Sequence, residues 1–281
     1  MVNGPQQKAG SGPIAVFDSG YGGLTILKGI RHLLPQYNFI YLGDNARAPY
    51  GTRSFDVVYE FTLQAVKKLF SLGSPLVILG CNTASAKALR SIQQKYIAEC
   101  CPDKRVLGVI RPTAEVVGDI SQNGHIGVLA TEGTVKSNSY NIEIKKLSPD
   151  AVVTGQACPM WVPLVENNEY SRPGADFFVK DSIDKILDKD PLIDTLILAC
   201  THFPLLIEKI RKYVPQNIRI ISQGEYIAKS LENYLFRHPE MECRIERGGT
   251  TQFFTTESAS VFEQSARNFL QTDIKAERIS I

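Results

Sequence analysis

Two cysteines in this 281-residue chain fall in the same local setting. Cys81 ends the apolar run "LVILG" and opens "CNTAS"; Cys200 ends "TLILA" and opens "CTHFPLL". In both, a stretch of strand length stops at a thiol, small hydroxyl or amide residues follow, and a helix-like segment begins. The first N–H groups of a helix have no intrahelical acceptor, so such a turn favours an anion and eases ionisation of a thiol. Each motif offers a thiolate base, and Asn82, Thr83, Thr201 and His202 add donors for a carboxylate. A lone cysteine after an apolar run ordinarily only packs. Two in matching turns suggest thiols approaching one ligand from opposite sides.

The remaining cysteines carry less. Cys100 and Cys101 are adjacent near an expected helix end, Cys158 in "QACPMWVP" reads as packing, and Cys243 lies in a polar segment. No C-x-x-C or H-x-x-x-H spacing occurs, which leaves a zinc site or a dithiol redox centre without support. No metal and no cofactor are expected. The glycine-rich "DSGYGGL" lacks both the lysine of a P-loop and the G-x-G-x-x-G order of a dinucleotide site. Its acid Asp18 and hydroxyl Ser19 suit an ammonium group or a catalytic thiol better. "GDNARAPYG" brings Asp44, Tyr50 and Gly51 to the end of another apolar run, and Glu166 and His202 are the other titratable candidates.

These residues need a scaffold. From Ile14 onward short apolar runs alternate with amphipathic stretches of helical length: "IAVFD", "FIYLGD", "LVILG", "VLGVI", "IGVLA", "AVVTG", "TLILAC" and "IRIIS". Runs of about five residues separated by helices predict an α/β fold with parallel strands. The pattern also repeats. "IAVFDSGYGGLTI" is echoed by "IGVLATEGTVKSN", the Asp44 segment by "VVTGQACPMWVPLVE", and the Cys81 segment by the Cys200 segment, so two similar half-structures are expected. In open α/β sheets ligands bind beyond the carboxyl ends of the strands, where both cysteines fall.

Composition sets the outer bounds. With 43% hydrophobic residues the chain can bury a sizeable core, as one large domain or two small ones. A net charge of +2 provides no basic face for nucleic acid. No apolar run approaches the roughly 20 residues of a membrane span. The scattered cysteines and the lack of a signal-peptide pattern point to reduced thiols in the cytoplasm. The polar opening "MVNGPQQKAGSGP", residues 1–13, is expected to be a disordered tail.

In this order and at these intervals, "FDSGYGGL", "YLGDNARAPYG", "GCNTAS", "LATEGTVKS", "CPMWVPLVE" and "ACTHFPLL" resemble the cofactor-independent glutamate racemase family, from Ile14 to about Phe236. The resemblance implies two pseudo-symmetric parallel-sheet α/β domains with the active site in the cleft between them. The expected division is 14–108 with 223–281, and 109–222. It implies that Cys81 and Cys200 are the catalytic bases, assisted by Asp18 and His202 and, more distantly, Asp44 and Glu166. Substrate contacts carry over to Asp18, Ser19, Tyr50, Gly51, Asn82, Thr83, Thr131, Thr134, Thr201 and His202. It further implies that Cys200 takes the proton from L-glutamate and Cys81 from D-glutamate, supplying D-glutamate for peptidoglycan. The "ISQGEY" stretch near Ser222 matches the family only loosely. The implied partner is the small-molecule substrate, L- or D-glutamate, with no nucleic acid and no membrane; a homodimer is kept as an option that the sequence does not decide. Two alternatives remain open at this point: a sister racemase acting on aspartate, and a non-catalytic amino-acid-binding protein, against which the presence of both cysteines argues.

Overall fold

The computed structural model describes residues 11–281. Most of the expected tail, residues 1–10, lies outside the described residues. Its last part is not a free tail: the Gly12 N–H donates to the Arg244 carbonyl (2.9 Å) and the Gly12 carbonyl accepts from Glu246 (2.9 Å).

All eight expected strands are present and parallel. β1 (Ile14–Asp18), β2 (Phe39–Gly43), β3 (Leu76–Leu79) and β4 (Arg105–Gly108) form one sheet; β5 (His125–Ala130), β6 (Val152–Ala157), β7 (Thr195–Ala199) and β8 (Arg219–Ile221) form a second. The first runs β2-β1-β3-β4 and the second β6-β5-β7-β8, the same order in each half. The two halves are therefore pseudo-symmetric. β1 matches β5 and β3 matches β7, so Cys81 and Cys200 follow equivalent strands. In register, Ile14 stands opposite Phe39 and Leu76, and Ile126 opposite Val153 and Thr195.

Burial on both faces explains why the strands read as unbroken apolar runs. Successive side chains of a strand point to opposite faces. Ile14, Val16, Leu76 and Ile78 join one core, while Ala15, Phe17, Val77 and Leu79 join the core on the other side of the sheet. β7 divides in the same way, with Leu196 and Leu198 in the first of these cores and Ile197 and Ala199 in a third.

Two strands were not expected. β9 (Thr251–Thr255) pairs outside β2, and β10 (Ala276–Arg278) pairs with β9, giving the first sheet six strands. β10 is largely exposed and has no apolar pattern to betray it. The expected "VLGVI" strand is shifted as well: β4 ends at Gly108, and Ile110 already opens the helix Ile110–Ile120. The chain returns from the second sheet to the first through the helix Gly224–Arg237, which packs on Leu24–Leu33 and Ile110–Ile120. Among the described residues no helix is long and apolar enough to cross a membrane.

Candidate active site

Cys81 stands just beyond β3 and caps the helix Asn82–Lys87, where its Sγ accepts from the Ala84 N–H (3.4 Å). The Ser19 hydroxyl lies 3.4 Å from the same sulfur. Burial pushes the Cys81 thiol up to about 12, and the Asp18 carboxylate adds to the rise, against the Ser19 hydroxyl and Ala84 amide. In the resting site this group holds its proton. Asp18 itself is fully buried at the end of β1. Its Oδ2 accepts from the Gly20 N–H (2.8 Å), whereas Oδ1 has no hydrogen-bond partner. Burial raises its pKa more than His202 and the Gly20 amide lower it. An orphaned oxygen in a dry site favours the neutral carboxyl.

On the other side, Cys200 follows β7. Its Sγ lies 3.8 Å from His202 Nδ1, and His202 Nε2 lies 3.0 Å from Glu166 Oε1. Burial of His202 alone would favour a neutral ring. Hydrogen bonds and charge from Cys200 and Glu166 outweigh it and lift the imidazole to about 10. The ring is thus an imidazolium between a carboxylate and a sulfur, and it stabilises negative charge on that sulfur when its proton leaves. Gly22, in the turn after β1, permits this: a Cβ there would lie 2.3 Å from Thr201 Oγ1 and 2.5 Å from His202 Nδ1.

The charged imidazole carries a stability consequence. The folded-state pKa of about 10 stands above the ordinary 6.5, so the associated stabilisation is complete below pH 6.5 and is lost as pH rises through about 10. The difference in Tm between the parent and His202→Asn should therefore be largest below pH 6.5 and shrink towards pH 10. Thermal unfolding of both proteins across that window is the check. A difference that stays constant would contradict a buried imidazolium.

Both thiols line one cavity of about 140 Å³, below the roughly 300–1,000 Å³ of sites for drug-sized ligands. A small metabolite fits its scale. Ser19, Tyr50, Gly51, Asn82, Thr83, Thr131, Glu166, Thr201 and His202 share its walls, and both halves contribute. Cross-links tie those halves together at the rim. Thr83 Oγ1 and Thr131 Oγ1 are 3.0 Å apart, the Gly133 N–H donates to the Gly51 carbonyl (2.8 Å), and Thr25 Oγ1 donates to the Thr201 carbonyl (3.1 Å).

Three expected residues stand behind the walls. Asp18 lies beneath Ser19 and Cys81. Thr134 supports Thr131, whose hydroxyl lies 3.1 Å from its own. Asp44 stands behind Tyr50, where its carboxylate accepts from Arg47 Nε (2.7 Å), Thr256 Oγ1 (2.8 Å) and the Tyr50 hydroxyl. It fixes Tyr50, a wall residue, and so bears on the cavity from a distance. Conversely, Cys158 is 1% exposed, as packing requires, yet it also forms part of the wall with Pro159, Val162 and Pro163. Its equivalence to the end of β2, one strand from the thiols, was the signal available in the sequence. Glu132 also reaches the wall and pairs with Lys136. Cys100 and Cys243 are exposed and are not among the residues lining the cavity. Among the described residues no cluster of three or more His, Cys, Asp or Glu could hold a metal ion.

Residues 25–231 match the family model described as Asp/Glu/Hydantoin racemase. A glutamate racemase of Roseobacter denitrificans is 39% identical over 273 residues, covering 93% of this chain and 98% of the relative. Among solved structures, a glutamate racemase isoform from Bacillus anthracis superposes with a TM-score of 0.87 at 34% identity, covering 96% of this chain and 97% of that one. A glutamate racemase from Francisella tularensis, solved in complex with D-glutamate, gives 0.85 at 32% identity, covering 96% and 98%.

Proposed function

The chain belongs to the Asp/Glu/hydantoin racemase family, and on that premise we propose that it is a glutamate racemase that passes the α-proton between the Cys81 and Cys200 thiols. The observation that carries this reading is the presence of the two thiols, each at the end of an equivalent strand, in the walls of one small cavity. Inverting an α-carbon requires removing a weakly acidic C–H on one face and returning a proton on the other. One base per face is the simplest arrangement that does both.

The division of roles between the thiols follows the family resemblance, and the unequal environments of the two sulfurs support it. Cys200, beside the His202 imidazolium, takes the proton from L-glutamate. Cys81, which holds its proton up to about pH 12, delivers it to the opposite face and yields D-glutamate. The thiols then carry swapped protons, and the reverse reaction starts from that state. Asp18, buried beneath Cys81 with its pKa raised by that burial, exchanges charge with the thiol as Cys81 loses and regains its proton. Negative charge developing next to the α-carboxylate is stabilised by donors from Asn82, Thr83 and Thr201, while Ser19, Tyr50, Gly51 and Thr131 enclose the remainder of the substrate. The two lobes, 14–108 with 223–281 and 109–222, hold the substrate from opposite sides. We place the reaction in the cytoplasm, where it supplies D-glutamate for peptidoglycan.

Incubation with L-glutamate, without any added cofactor, tests the activity. The circular dichroism signal should decay to zero as the enantiomers equalise. A signal that persists would refute the reading, and faster decay with L-aspartate would assign the enzyme to that substrate instead.

A further inference from the structure

Behind the Cys81 turn, three buried side chains close a hydrogen-bonded ring. Asn82 Nδ2 donates to Gln223 Oε1 (2.7 Å), Gln223 Nε2 donates to the Tyr140 hydroxyl (2.7 Å), and that hydroxyl donates to Asn82 Oδ1 (2.6 Å). Asn82, Gln223 and Tyr140 are each at most 3% exposed. They come from three places: the helix after β3, the turn after β8, and the helix Ser139–Leu147 of the second half.

The direction of the ring is set from outside. Gln223 Nε2 also lies 3.3 Å from the Val109 carbonyl and 2.8 Å from Thr113 Oγ1, and the Thr113 hydroxyl donates to that same carbonyl (3.1 Å). A carbonyl only accepts, so the nitrogen end of Gln223 must face it. The oxygen end then faces Asn82, which must answer with its own nitrogen. Burial holds Tyr140 protonated, leaving its proton for Asn82 Oδ1. One N–H of the Asn82 amide is left over, and Asn82 is a wall residue of the cavity.

We infer that Gln223 is a positioning residue: through this ring it fixes Asn82 so that an amide N–H, rather than the amide oxygen, is the group offered to a substrate carboxylate. The inference rests on the glutamate reading of the cavity. An unconstrained asparagine flips between its two amide orientations, and the wrong one places an oxygen against an anion. Gln223 never touches substrate in this account. It lies in "ISQGEY", the stretch whose resemblance to the family is loose.

Gln223→Met keeps the side-chain length and removes both polar ends. In steady-state kinetics on the full chain, KM for L-glutamate should rise about tenfold, the size of one lost charge-assisted hydrogen bond, with a smaller change in kcat. In an Asn82→Ala background the same substitution should add nothing, because the group it orients is gone. Tyr140→Phe should reproduce the KM effect by deleting only the hydroxyl, and it serves as the test if Gln223→Met does not fold. A folded variant with KM within about twofold of the parent would overturn the inference, as would a rise that persists undiminished beside Asn82→Ala, since a merely structural role is additive. Failure of the parent chain to racemise glutamate would instead overturn the functional reading beneath it.

Discussion

Cys81→Ala and Cys200→Ala should each abolish racemisation, with a loss in kcat on the order of 10³ or more. A positioned acid or base is worth about 10²–10⁴, and in a two-base mechanism neither thiol can take over the other face. Each cysteine is nearly buried, at 6% and 5% exposure, and removing its sulfur leaves a small void at a strand end without severing a backbone pairing. Circular dichroism and thermal unfolding should therefore report folded proteins. Racemisation of L- and D-glutamate by the two purified variants is the measurement. If either folded variant kept more than about a tenth of the parent rate, a figure outside the range for a lost acid/base group, the mechanism would have to be abandoned.

Asp18→Asn should reduce turnover by roughly 10² while KM changes by only a few-fold. The reason is its position: Asp18 lies beneath Cys81 and does not line the cavity, so it acts on the thiol and not on the substrate. The substitution preserves shape and an acceptor for the Gly20 N–H, but removes the carboxyl's ability to change charge as Cys81 gains and loses its proton. The kcat of the D-to-L direction, which starts from a Cys81 thiolate, should fall more than the kcat of the reverse. KM must compensate, because a catalyst cannot shift the overall equilibrium. Measuring both constants in both directions is the check. A change confined to KM would show that Asp18 pairs with the substrate ammonium instead.

The backbone scaffold was open to reading because its signals are local. Parallel strands buried on both faces are unbroken apolar runs, and the repeated motif around Cys81 and Cys200 records the duplicated sheet order. Strands β9 and β10 escaped because one, "TQFFT", holds only two apolar residues between polar ends, and the other is polar and at an edge. Side-chain direction was legible only in part. Asp44 sits in a motif at the correct strand end, yet its carboxylate is claimed by Thr256, which is 212 residues away in sequence. The Asn82 ring likewise depends on Tyr140 and Gln223, separated from it by 58 and 141 residues. Partners so distant leave no periodicity or motif, and only the folded chain brings them together.

The central claim is that two thiols address opposite faces of one carbon, and deuterium incorporation tests it most directly. L-glutamate is incubated with the parent enzyme in deuterated water, and both enantiomers are recovered before a tenth of the substrate has turned over. Two bases predict that the newly formed D-glutamate carries deuterium at Cα, delivered from Cys81, while the remaining L-glutamate retains its protium. A single base serving both faces would place deuterium in both enantiomers alike or carry the original protium into D-glutamate, and either result would contradict the account.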